Sequence, residues 1–161
     1  MSQHVLSEGL HSLNPYITCA DAAAAIEFYK QAFGARELIR LAMPDGKIMH
    51  ASLVIGNSCL MVTEEAPNWG ALGPKARGGT SVSINLQVPN VDEVFARALA
   101  CGASMKMPVA DMFWGDRFGV LVDPFGHEWS VATHIKDMTA EEMIAASKAA
   151  MAQMPDCAGQ S

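Results

Sequence analysis

Apolar and polar residues alternate along 82–88: Val82, Ile84, Leu86 and Val88 fall on one face, and Ser83, Asn85 and Gln87 on the other. A period of two over this length predicts a strand with one packed face and one polar face. Residues 14–19 repeat the pattern, with Ile17 and Cys19 set against Asn14, Tyr16 and Thr18. After each strand the period changes. Ala22, Ala25, Ile26, Tyr29 and Phe33 form one stripe, and Val91, Val94, Phe95, Ala98 and Leu99 another, at the spacing of a helix face. Asp21 and Asn90 stand where helix N-caps belong, with Glu93 three residues after Asn90 as in a capping box. Gly34 and Gly102 stand where the helices stop.

The two stretches, PYITCADAAAAIEFYKQAFGA (15–35) and SINLQVPNVDEVFARALACGA (83–103), are one pattern met twice. More strands follow each. ELIRLAM, IMHASLVI and CLMVT are separated by PDGK and Gly56-Asn57, and MKMPV, RFGVLV and HEWSVAT by a Trp114 loop and a DPFG turn. Each half reads β-α-β-β-β. The pattern divides the chain into an N-terminal extension (1–13), a first module (14–65), a Gly/Pro-rich linker (66–80), a second module (81–135) and a C-terminal helix with its tail (136–161). Thr139 with Glu142 predicts the start of that last helix. The expected class is α+β. A helix covers one face of each sheet, and two such units can set their bare faces around a shared groove, the natural place for a ligand.

Composition narrows the partners. Of 161 residues 17% are charged, the net charge is −6, and no run of Lys/Arg occurs, which disfavours nucleic acid and anionic membranes. An acidic groove would favour cationic or neutral ligands. No apolar run approaches the ~20 residues that span a bilayer, and the first residues lack the basic and apolar regions of a signal peptide. Cys19, Cys59, Cys101 and Cys157 form no CxxC pair, and three lie in apolar segments. Together these predict a reduced, cytoplasmic protein without structural disulfides.

Candidate chemistry concentrates in WGDRFGVLVDPFGHEWSVATH (114–134). Trp114 and Phe118 offer a stacking wall, and Asp116 either orients or pairs with Arg117, a charged clamp for a ligand. The plainer reading is a structural loop in which Trp114 fills a gap between the halves. Asp123 reads as a turn residue, His127 and Glu128 as turn-capping and solvent-exposed, and Trp129 as core, on the face opposite Ser130. His50 reads as a histidine in the sheet wall or a groove-lining donor, and Trp69 as a lid or subunit contact in the linker. Met43, Met49, Met61, Met105, Met107 and Met112 are expected to fill core and cavity.

The segments AIEFYKQAFGA (25–35), HASLVIGNSCLMVTEE (50–65) and WGDRFGVLVDPFGHEWSVATH resemble the vicinal-oxygen-chelate superfamily (glyoxalase, extradiol dioxygenase and bleomycin-resistance proteins), and its PhnB-like branch in particular. The resemblance spans roughly 14–135. It implies two tandem βαβββ modules forming an open, U-shaped barrel groove, here with the C-terminal helix added, and modules paired or swapped in a homodimer. In metal-using members two ligands come from each half. Those positions fall on Asn14, Leu60 or Met61, Ser83 and Ser130, which are not a divalent-metal set. No metal or cofactor is therefore expected. The expected function is metal-independent binding of a small, aromatic or antibiotic-like molecule by Asn14, Tyr16, His50, Trp69, Ser83, Asn85, Trp114, Asp116, Arg117, Phe118 and Ser130. The alternative is a metal-dependent lyase or dioxygenase with a displaced set drawn from His50, Glu64, Glu65 and His134.

Overall fold

The computed structural model describes residues 7–154. Strand β1 (Tyr16–Cys19), helix α1 (Ala22–Phe33), β2 (Arg36–Ala42), β3 (Ile48–Ile55) and β4 (Ser58–Glu64) make the first module. A 3-10 turn at Pro67–Trp69 and the one-turn helix α2 (Pro74–Arg77) occupy the linker. The second module is β5 (Ser83–Gln87), α3 (Val91–Ala100), β6 (Ser104–Asp111), β7 (Asp116–Val122) and β8 (Glu128–His134), and α4 (Ala140–Ala152) follows.

Each module is a four-stranded sheet in the same order, β1-β4-β3-β2 and β5-β8-β7-β6. The first strand runs parallel to the last, and the other pairs are antiparallel. The expected fold class is therefore present. Pro108, which cannot donate to a ladder, sits in β6, an edge strand.

The caps work as the sequence predicts, with one difference. Asp21 accepts from Ala24 N–H at 2.9 Å and Asn90 from Glu93 N–H at 3.3 Å. Glu93 pairs with Arg97, whereas the reciprocal capping box is complete at Thr139 and Glu142. Gly34 closes α1 at φ 68°, a conformation that a side chain disfavours.

Helix α1 covers the first sheet, α3 covers the second, and the two helices pack on each other. Phe33 and Tyr29 of α1 meet Trp129 of β8 at ring separations of 4.7 and 5.4 Å, and Arg97 donates to the Ala32 carbonyl at 2.9 Å. One contiguous core joins both modules. Trp129 is fully buried in it, as expected from its parity. The apolar face of each strand thus looks toward the helix pair, and the polar faces carrying Ser52, Asn85 and Ser130 look away from it. The methionines depart from expectation. Met49 and Met105 are 54% and 58% exposed, each next to a register shift in its strand pairing.

Candidate functional site

Strands β1 and β5 are both sheet edges, each with one hydrogen-bonded neighbour. Residues 14–18 at β1, residues 83–87 of β5, the hairpin 55–60 and the linker loop 72–82 line one cavity of about 1550 Å³. His127 and Trp129 reach it from the second module. The register explains the lining. The Pro15 carbonyl accepts from β4, the Cys19 carbonyl from Glu65 just past its end, and Val88 N–H donates to β8. The alternate residues therefore turn their backbone groups to the open edge. Thr18 is one of these, and His127 Nε2 donates to its carbonyl at 3.0 Å. His127 is buried, not the exposed turn residue that the sequence suggests: its ring bridges the modules, and Cys19 Sγ lies 3.7 Å away. Burial, with Asp123 adding to it, pushes the Cys19 thiol far above its usual range, which makes it inert.

Asp123 is also more than a turn residue. One carboxylate oxygen accepts from Tyr29 Oη at 2.5 Å and Trp129 Nε1 at 2.9 Å. The other accepts from the N–H groups of Phe125 and His127. Burial first, then the Asp123 charge, holds the Tyr29 phenol well above its ordinary range.

The sequence-predicted residues divide into groups. Asn14, Tyr16, Ser83 and Asn85 line the cavity. Asn85 Nδ2 donates to Ser130 Oγ at 2.9 Å, and Gln87 Nε2 to Asn85 Oδ1 at 3.3 Å, giving a polar ladder across β5 and β8. His50 joins through Tyr16: its Nδ1 is hydrogen-bonded with Tyr16 Oη and its Nε2 with Ser52 Oγ, both at 3.0 Å. Trp114 and Phe118 lie outside the lining. With Phe113 they form an edge-to-face cluster two strands away, and the ring partners of Trp114 are both in the second module. Trp69 is 90% exposed and also outside it.

Asp116 and Arg117 are separated by strand alternation. Asp116 pairs with His134 Nδ1 at 2.9 Å. Arg117 faces α3, where Asp92 takes Nε and Nη2 at 2.7 Å and Asp111 takes Nη1 at 2.9 Å. Its fork is occupied by these two carboxylates. His134 Nε2 meets Asp137 at 2.8 Å, and hydrogen bonds to Asp116 and then Asp137 raise the imidazole above its ordinary value.

Three of the positions that the resemblance implies for metal ligands are otherwise engaged. Asn14 Oδ1 accepts from His11 N–H, Leu60 is buried toward the helix face, and Ser130 is taken by Asn85. The displaced set does not converge either. Glu64 accepts from Ala22 and Ile48 N–H, Glu65 from Gly73 N–H, and His50 and His134 stand on different sheets. Among the described residues no three His, Cys, Asp or Glu side chains could hold a metal ion.

The sequence profile of the glyoxalase/bleomycin resistance protein/dioxygenase superfamily matches residues 4–131. The chain belongs to that superfamily. An uncharacterized superfamily relative of Mycobacterium tuberculosis is 42% identical over 138 residues, 84% of this chain and 81% of its own length. The crystal structure of TioX from Micromonospora sp. ML1 superposes with a TM-score of 0.62 at 30% identity, covering 78% of this chain and all of TioX. A PhnB protein of Bacillus cereus shares the fold at 18% identity, TM-score 0.60, over 76% of this chain and 99% of its own. Helix α4 lies beyond the superfamily match.

The sequence reading placed the linker's part in the site on Trp69 and missed loop 72–82. Loop 72–82 forms one cavity wall, with α2 inside it. Its only signal was Pro74 before a short run ended by Gly78. The groove is also not acidic. No Asp or Glu lines it among the described residues, so net charge was a poor guide to local charge.

Proposed function

We propose that this superfamily member binds a small organic molecule in the cavity between β1 and β5 without a metal ion. The observation that carries the reading is a cavity of about 1550 Å³ lined mainly by hydroxyls, amides and apolar side chains, in which no Asp or Glu takes part among the described residues and His127 is engaged by the Thr18 carbonyl. Tyr16 and Val82, 54% and 62% exposed along its walls, offer an apolar bed. The Gln87–Asn85–Ser130 ladder and the Tyr16–His50–Ser52 chain offer directional hydrogen bonds on either side. The Phe113–Trp114–Phe118 cluster extends the same face of the second sheet. A homodimer in a reducing, cytoplasmic setting completes the proposal. Its support is the exposed apolar surface of Ile135, Ile144 and Met151, which a second copy would cover, and the unpaired cysteines Cys19, Cys59 and Cys101.

The test is thermal unfolding of EDTA-dialysed protein against a panel of flat aromatic compounds. A binder at 100 times its Kd stabilises by about 2.7 kcal/mol, a shift of several degrees. The expected result is a shift that is unchanged by chelator. A panel without any shift, or a shift that appears only after a divalent metal is restored, contradicts the proposal.

A further inference from the structure

We infer that the ligand of this groove is an organic acid, with its carboxylate or phosphate received by Arg77. The inference rests on the small-molecule reading above and deepens it.

The chain carries six more negative than positive charges, yet Arg77 is the only Lys, Arg, Asp or Glu among the described residues lining the cavity. Arg77 also differs from every other arginine. Arg36 pairs with Glu8, Arg40 with Glu27 and Glu37, Arg97 with Glu93, and Arg117 with Asp92 and Asp111. Among the described residues no carboxylate lies within 4.0 Å of Arg77. Its guanidinium instead donates Nη2 to the Gly70 carbonyl at 2.8 Å and Nε to the Leu72 carbonyl at 3.3 Å. Both acceptors are neutral, so the exposed guanidinium has no acidic partner among the described residues.

Those two bonds also set the orientation of the fork. They use two of the five guanidinium N–H donors and leave three, which suits two-point recognition of a planar carboxylate or a phosphate. A donor already held in place loses little side-chain entropy when a ligand arrives. Ser83, whose hydroxyl has no protein partner among the described residues, lines the same cavity and can add a neutral hydrogen bond. Leu13, 90% exposed, stands with Val82 along the cavity, a surface for the apolar body of such an acid. Burial of that body and a charge-assisted hydrogen bond at one end together define the ligand class.

The experiment compares four probes of one shape by tryptophan fluorescence titration: 2-naphthoate, 2-naphthyl phosphate, 2-naphthamide and 2-naphthylmethylammonium. The expected result is that one or both anions bind at least about tenfold tighter than the amide, with the ammonium weakest. The preferred anion tells carboxylate from phosphate. The preference should shrink in 0.5 M salt, disappear in Arg77→Gln, persist in part in Arg77→Lys, and survive Lys75→Gln. Equal binding of the amide and both anions, or a preference that survives Arg77→Gln, overturns the inference and leaves the groove reading standing. Failure of all four probes to bind removes both. Because Arg77 also tethers its own loop, thermal melts of Arg77→Gln and Arg77→Lys accompany the titration. A variant that folds normally and still loses the preference supports the inference.

Discussion

Asp123 accepts four hydrogen bonds inside the seam between the modules, from Tyr29, Trp129 and the N–H groups of Phe125 and His127. Removing it strands a phenol, an indole N–H and two backbone donors in a buried place. Asp123→Ala is expected to cost about 3 kcal/mol or more, and Tyr29→Phe, which leaves the carboxylate its other partners, about 1–2 kcal/mol. Urea unfolding measures both, and an Asp123→Ala cost below about 1 kcal/mol would remove the seam from the account. The Tyr29 phenol adds a pH dependence. Its folded value is raised, so the folded state holds the proton more tightly. That stability is fully present below the ordinary phenol value near 10 and is lost as pH climbs toward the folded value. The turn at Asp123 was legible because Asp before Pro starts turns. Its partnership with Tyr29 was not, because the two are 94 positions apart and no local pattern links them. His127 was hidden in the same way, with its acceptor Thr18 in the other module.

Elements were more legible than sites because periodicity is a local property. The strand at 82–88 and the two amphipathic helices follow directly from spacing two and spacing 3.6, and the caps at Asp21, Asn90 and Thr139 mark their starts. The groove depends on which strand edge is left unpaired and where the linker crosses it, neither of which has a period. Parity did separate Trp129 from Ser130, yet it could not foresee that Arg117 would be consumed by Asp92 of α3. Helix α4 belongs to this scale. Its sequence is well capped, but none of its residues is buried, and an isolated helix of this length is marginal in water. A chain ending at Met138 is therefore expected to keep its near-UV circular dichroism, since the Trp129 environment is untouched, and to sediment as a monomer where the full chain sediments as a dimer. A truncated chain that does not fold, or that stays dimeric, contradicts this role for α4.

At the scale of the whole molecule, two copies of one βαβββ unit share a core through their helices and leave both polar sheet faces and the β1 and β5 edges for function. The superfamily match describes that scaffold. Within that scaffold the linker brings Arg77 to the cavity. The most direct measurement is amide chemical-shift mapping on ¹⁵N-labelled, chelator-treated protein titrated with 2-naphthoate. The account predicts perturbations clustered in 14–18 and 72–87, saturating without added metal. Perturbations confined to the 113–118 cluster, or appearing only once zinc is supplied, would contradict it.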